Sequence, residues 1–297
     1  MTGGAGSPTF LLGVGAQKAG TTWLFDYLNG HPDCAMGPVK EMRFFSDPEI
    51  ATHSPPLTTS RETWAGNRVL KQLQKGDKLG ERARHRLANQ LDALLARYRP
   101  EHYADAYRAL VRRHPEARLI GDISPEYGSL DPRDMQAMGD YLAGMGYPVK
   151  VVMLLRDPVG RAFSMARMKE EGRSKRGKAW AGPGSDSFAD YATGAACELR
   201  TRYERMIPTL EQVFDPAQIF YGIYEDFFRL SEIERLCAFL GIEVHEPQLG
   251  VRSNAGQQSA PPDPESVARV RGFYADTYAF CRDRFGAERI DALWGRD

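Results

Sequence analysis

The sequence lacks the raw material of a disulfide-stapled domain, a metal site or a membrane span. Its four cysteines, Cys34, Cys197, Cys237 and Cys281, stand far apart and form no CxxC pair. That pattern argues for free, mostly buried thiols in a reducing compartment, against a disulfide framework or a zinc site. The six histidines (31, 53, 85, 102, 114 and 245) include no HxH or HxxxH pair, so no metal is expected. The N-terminal stretch Met1 to Pro8 is Gly-rich with no basic segment, and the apolar run Phe10 to Val14 is too short for a signal peptide or a span. The expected location is therefore cytoplasmic. Net charge is missing too, because 39 Lys and Arg balance 39 Asp and Glu. Without a whole-protein field, nucleic acid and anionic membranes are not expected partners, and a polyanionic ligand needs a local cluster of donors. Internal repeats are absent, and oligomeric state leaves no mark.

What is present suits one sizeable core. The chain has 297 residues, 42% hydrophobic and 26% charged, and reads as a single domain over 1–297. Short apolar runs at Thr9 to Val14, Ala117 to Ile120, Lys150 to Leu155 and Gln218 to Tyr224 read as buried parallel strands. Segments of helical length lie between them. The expected fold is α/β: a P-loop-like central parallel β-sheet flanked by helices, with a helical insertion over about 52–116. Within that insertion Leu87, Leu91, Leu94 and Leu95 keep helical spacing, which fits a solvated cover rather better than a lid. The stretch 170–187 is polar and Gly-rich and reads as a flexible loop. A second loop, Val251 to Pro264, precedes a closing helix over Pro264 to Phe285.

The first chemical signal is Gly15-Ala16-Gln17-Lys18-Ala19-Gly20-Thr21-Thr22, between a strand and a helix capped by Thr21 or Thr22 and stopped at Gly30. A Gly-bounded turn there leaves the first helical N–H groups free to cradle an anion, with the helix dipole behind them. Thr21 and Thr22 add hydroxyl donors and Lys18 a positive charge. The glycine spacing matches GxxxxGK[ST], but the lysine sits inside the loop rather than after the second glycine. The bland alternative is a Gly-rich turn without a ligand.

A second signal is the strand end Leu154-Leu155-Arg156-Asp157-Pro158, running on to Arg161 and Ser164. Pro158 suits the first turn of a helix on which Val159, Phe163 and Ala166 share one face, expected to pack on the sheet. Ser164 lies off that stripe and can face the same side as Arg156, at the carboxyl edge where α/β sheets bind ligands. A guanidinium with a hydroxyl makes a phosphate clamp. The alternative is an Arg156–Asp157 pair and a solvated serine.

These two motifs, in this order, resemble the family of sulfotransferases that use 3′-phosphoadenosine 5′-phosphosulfate (PAPS), most closely its carbohydrate (heparan sulfate) branch. The loop Gln17, Lys18, Ala19, Gly20, Thr21, Thr22, with Trp23 behind it, is similar to that family's 5′-phosphosulfate loop. The run Arg156 to Ser164 is similar to its 3′-phosphate motif, so the resemblance implies Arg156 and Ser164 as ligands of that phosphate. Lys40-Glu41-Met42-Arg43-Phe44-Phe45 is similar to the branch's Lys-Glu-Val-His-Phe-Phe segment, which implies Glu41 as the catalytic base. Gly121 to Tyr127 is similar to the segment containing Lys-Thr-Pro-x-Tyr, with Ser124 in the threonine's place. Tyr224 after the fourth strand and Arg252 in the late loop complete the implied cofactor-binding set. Arg43 replaces the branch histidine and suggests a cationic role instead.

The reaction so implied is in-line transfer of a sulfuryl group from PAPS to a hydroxyl of a small molecule (sugar, lipid or natural-product alcohol), leaving PAP, with no metal. Lys18 would stabilise the leaving group, and Glu41 would take the acceptor proton. The plain alternative for Glu41 is a salt bridge with Lys40 or Arg43. Two other functions fit less well: a P-loop kinase using ATP and magnesium, and a noncatalytic nucleotide-binding protein. Phe44, Phe45, Trp64, Tyr103, Tyr107, Tyr127 and Trp180 are candidates for an apolar acceptor wall, against the commoner reading of such aromatics as core.

Overall fold

A computed structural model describes residues 7–37, 39–46, 80–81, 83–84, 87–88, 100–174, 186–247 and 261–295. Its centre is a five-stranded sheet. The strands are β1 (Thr9–Gly15), β2 (Cys34–Met36), β3 (Leu119–Ile123), β4 (Val149–Leu155) and β5 (Ile219–Ile223). Their order is β2-β3-β1-β4-β5, and every pairing is parallel. Such a sheet is covered on both faces, which is why β1 and β4 read as unbroken apolar runs. Leu11, Leu12, Val151 and Leu154 are each fully buried, and burying a side chain of that size contributes about 1.5–3 kcal/mol.

The helices α1 (Thr21–Asn29), α2 (Pro100–Arg113), α3 (Pro132–Gly144), α4 (Pro158–Ser174), α5 (Asp186–Thr193) and α6 (Tyr203–Glu211) lie between or beside the strands. Four more follow: α7 (Leu230–Leu240), α8 (Pro264–Phe273), α9 (Ala275–Phe285) and α10 (Ala287–Trp294). Their boundaries have local causes. Asp131 accepts from the Asp134 N–H at 2.8 Å and Pro132 opens α3; Asp263 and Pro264 do the same for α8. The closing helix is interrupted at Tyr274 and again at Gly286, whose φ is 93°. Among the described residues no helix is long and apolar enough to cross a membrane.

The chain leaves β1 toward β2 on one side and leaves β4 toward β5 on the other. That reversal opens a crevice at the carboxyl ends of β1 and β4, the place where open α/β sheets take ligands.

Several sequence expectations are corrected. β3 runs two to three residues later than the apolar run suggested, because buried Asp122 belongs to the strand. β2 is only three residues long and has no period to read. Residues 170–174 of the supposed loop continue α4, and α5 begins at Asp186. Thr21 and Thr22 do not cap α1; Gly20 does, in the left-handed conformation. The Val159 face of α4 packs not on the sheet but on α5 and α8, in a separate cluster with Phe188, Ala192 and Val270. Leu91, Leu94, Leu95, Trp64 and Trp180 lie outside the described residues.

Candidate active site

The turn after β1 is shaped by two left-handed residues, Lys18 (φ 71°) and Gly20 (φ 91°). Gly20 tolerates that φ at no steric cost. A Cβ there would come within 3.1 Å of Phe228 Cζ and 3.3 Å of Tyr224 Cδ2. Thr21 is buried at the first helical position, and Thr22 beside it accepts from Lys40 Nζ at 2.6 Å. Trp23 is buried, its ring stacked on Tyr27 at 5.2 Å and edge-on to Phe227 and Phe228, so it braces the turn from the core. Lys18 is half-buried, and among the described residues its Nζ has one weak hydrogen-bond partner, Met168 Sδ at 3.7 Å. Burial, then the Arg156 and Lys40 charges, pull the Lys18 ammonium below the ordinary lysine range.

Arg156, just past β4, reaches across the crevice. Its Nη1 donates to the Lys18 carbonyl at 2.8 Å, and its guanidinium lies 4.2 Å from the centroid of the Tyr224 ring. Its Nε is buried with no hydrogen-bond partner among the described residues. A buried donor left unmade costs about 1–3 kcal/mol unless a ligand meets it. The backbone of Arg156 is gripped by Tyr203, whose hydroxyl donates to the Arg156 carbonyl at 2.9 Å and faces its N–H at 3.3 Å. Asp157 does not pair with Arg156. Its carboxylate accepts from the Gly160 N–H at 2.8 Å and from the Tyr278 hydroxyl, while its own N–H donates to Glu225. Burial pushes the Glu225 carboxyl up, against the Asp157 N–H and Trp294 Nε1 that donate to it. A Cβ on Gly160 would stand 3.4 Å from Arg156 Nε. Half-buried Ser164 is one helical turn beyond, on the same side of α4. Tyr203, Glu225 and Tyr278 are site supports that sequence reading missed. Only the residues around Tyr224 carried any signal.

The third element is the strap Lys40–Arg43. Glu41 (φ 61°) and Arg43 (φ 57°) are both left-handed without being glycine, a conformation that costs of order 1–3 kcal/mol per residue and persists only when surroundings impose it. Glu41 is held on both sides, by Lys40 Nζ at 3.2 Å and by the Arg43 guanidinium. Both salt bridges offered as the plain alternative are therefore present. Burial would raise the Glu41 carboxyl, but Lys40 and Arg43 outweigh it and hold it below the usual carboxylate range. Arg43 Nε lies 3.4 Å from Glu126, which in turn accepts from Gln17 Nε2 at 3.1 Å. The strap is thus wired to the β1 turn twice, through Lys40–Thr22 and through Arg43–Glu126–Gln17.

The structure brings Gln17, Lys18, Gly20, Thr22, Glu41, Arg156 and Tyr224 into one connected group. Arg252 lies outside the described residues. Phe44, Phe45, Tyr103, Tyr107 and Tyr127 pack against one another as core, with Phe44 stacked on Tyr103 at 4.5 Å; they are no acceptor wall. Cations and amide donors facing a crevice, next to an ionised carboxylate, can hold an anionic group and deprotonate a neighbouring hydroxyl.

A family model described as the sulfotransferase family matches residues 8–246. A crystal structure of a sulfotransferase from Alicyclobacillus acidocaldarius superposes with a TM-score of 0.54 at 23% identity, covering 98% of this chain and 97% of that one. The sulfotransferase domain of an olefin synthase from Synechococcus PCC 7002 gives 0.46 at 18% identity (90% and 94% covered). The sulfotransferase domain from the curacin biosynthetic pathway gives 0.47 at 14% (91% and 97%). Comparison with curated proteins yielded no match.

Proposed function

The chain belongs to the sulfotransferase family, and from that premise we propose that it transfers a sulfuryl group from PAPS to the hydroxyl of a small-molecule acceptor. The observation that carries the reading is the Arg156–Lys18 contact at 2.8 Å. It joins the two motifs that the family resemblance assigns to opposite ends of the donor nucleotide.

The fit rests on this chain's own atoms. Arg156 Nε is a buried donor with no partner among the described residues; it stands beside Gly160 and is suited to the 3′-phosphate, to which the resemblance also assigns Ser164. The N-terminus of α1 offers its first N–H groups to the 5′-phosphosulfate, with Lys18, Thr21 and Thr22 as further donors. Tyr224 supports Arg156 by its ring face, and Arg252 belongs to the proposal on resemblance alone. Bound there, PAPS supplies an activated sulfuryl group.

Glu41 accepts the acceptor's proton as the acceptor oxygen bonds to sulfur. The bond from sulfur to the bridging oxygen breaks, and its electron pair leaves on the 5′-phosphate of PAP. Lys18 and the loop N–H groups offset the charge growing on that oxygen; one such preorganised donor is worth about 2.7–4 kcal/mol. Lys40 and Arg43 keep Glu41 ionised at neutral pH, at some cost in basicity. A ligand sulfuryl that drew Lys40 away would restore it.

Calorimetry with PAP and with ATP–Mg²⁺ tests the donor site, and PAP is expected to bind far more tightly. Incubation with labelled PAPS and a panel of sugar, lipid and natural-product alcohols tests the transfer, read as mass gain of one sulfuryl group. Tighter binding of ATP–Mg²⁺ would end the proposal.

A further inference from the structure

Glu41 is held from below as well as from its sides. Asp122, 1% exposed at the end of β3, accepts from Tyr127 OH at 2.6 Å, Ser124 Oγ at 2.8 Å, Tyr103 OH at 3.1 Å and the Met42 N–H at 3.3 Å. Ser124 is fully buried, and its backbone is anchored because its N–H donates to the Gly13 carbonyl of β1 at 2.9 Å. Its hydroxyl hydrogen goes to Asp122, which turns its lone pairs outward. One of them accepts the Arg43 N–H at 3.0 Å. Two consecutive strap amides, those of Met42 and Arg43, are therefore tied to β3. They follow directly on Glu41 and bracket the stretch whose left-handed residues need an external constraint.

We infer that Asp122 and Ser124 are positioning residues that hold the Glu41 strap in register with the β1 turn. The inference rests on the reading of Glu41 as the base, but its geometry is independent of that reading. Neither residue reaches the crevice; each acts through backbone. Asp122 also selects which way the Ser124 hydroxyl points, so the pair works as one unit. Misplacing a reacting group by about 1 Å costs on the order of 100-fold in rate, and the strap is the only described element carrying Glu41.

The test uses the full chain. Ser124→Ala removes the acceptor for the Arg43 N–H and one of the four donors to Asp122. Hydrogen exchange at the Arg43 amide is expected to quicken at least ~10-fold while β3 amides are unchanged, since a lost bond opens only the strap. Turnover, read as PAP release from PAPS, should fall about 10- to 100-fold with little change in PAP affinity. In a Glu41→Gln background Ser124→Ala should add no further loss. Tyr274→Phe is the control: it deletes a buried hydroxyl that donates to the Ala192 carbonyl at 2.6 Å in the separate cluster, and should lower Tm without touching Arg43 exchange or turnover. If Ser124→Ala does not fold, Asp122→Asn is read the same way. Unchanged Arg43 exchange, or equal loss of turnover in both backgrounds, overturns the positioning role by itself. Glu41→Gln with undiminished turnover would instead remove the base.

Discussion

The Arg156 guanidinium donates to the carbonyl of Lys18 at 2.8 Å, so the residue that follows β4 holds the turn that follows β1. One side chain therefore serves both ends of the proposed nucleotide site. Arg156→Ala should lower PAP affinity about 10- to 100-fold, the equivalent of one charge-assisted hydrogen bond or two. Binding of an analogue lacking the 3′-phosphate should fall much less. Calorimetry on both ligands decides it, and equal losses would remove Arg156 from the 3′-phosphate site.

Glu41→Gln keeps size and removes the base. Turnover should fall about 10²- to 10⁴-fold, with PAP affinity nearly unchanged. Steady-state rates of PAP release and a binding isotherm check this, and near-normal turnover would rule Glu41 out as the base.

The pH profile follows from the direction of the Glu41 shift. Because Lys40 and Arg43 hold its carboxyl below the ordinary range, activity should persist as pH falls through the ordinary glutamate range and decline only where Glu41 takes up a proton. Removing Arg43 relieves that depression, so the acid limb of kcat/KM in Arg43→Ala should move to higher pH. The same sign governs stability: the Glu41 contribution is present above its unfolded value and is lost as pH falls through the folded one. A limb that stays in place would show that Arg43 does not set the charge on Glu41.

Gly20→Ala places a Cβ 3.1 Å from Phe228 Cζ at a φ of 91°. A left-handed L-residue costs roughly 1–2 kcal/mol before any clash. Tm should fall, and PAP affinity should fall with it because the turn must widen. A Tm equal to that of the unaltered chain would contradict the geometry.

Arg161 is fully buried with no salt bridge to a carboxylate among the described residues; Nε donates to Thr201 Oγ1 at 3.0 Å and Nη2 contacts Cys197 Sγ at 2.7 Å. Nη1 is unpartnered among the described residues. Arg161→Ala should cost about 2–5 kcal/mol by leaving a cavity. Arg161→Met, closer in volume, should cost much less because it also removes the orphaned donor. Denaturant unfolding of both variants distinguishes volume from charge.

What could be read in advance was contiguous in the chain. The Gln17–Thr22 turn and the Arg156–Ser164 run carry their chemistry in a few neighbouring residues, and β1 and β4 are unbroken apolar runs. The rest depends on distance in sequence. Tyr203, Glu225 and Tyr278 converge on Arg156 and Asp157 from three separate segments, and a lone tyrosine carries no local signature. Asp122 broke the apolar run of β3 and so hid where that strand ends. Phe44 and Tyr103 were candidates for a pocket with core the commoner reading, and only packing separates the two.

The sheet order has a consequence for how the molecule can be taken apart. Residues 17–22, 40–43, 122–127, 156–164 and 224–228 meet only because parallel strands deliver each of them to one edge. No fragment carrying a subset of the strands can reproduce that meeting. Nucleotide capture should therefore switch on only with the complete fold, and a saturating ligand should raise the melting point of the whole sheet rather than of one loop.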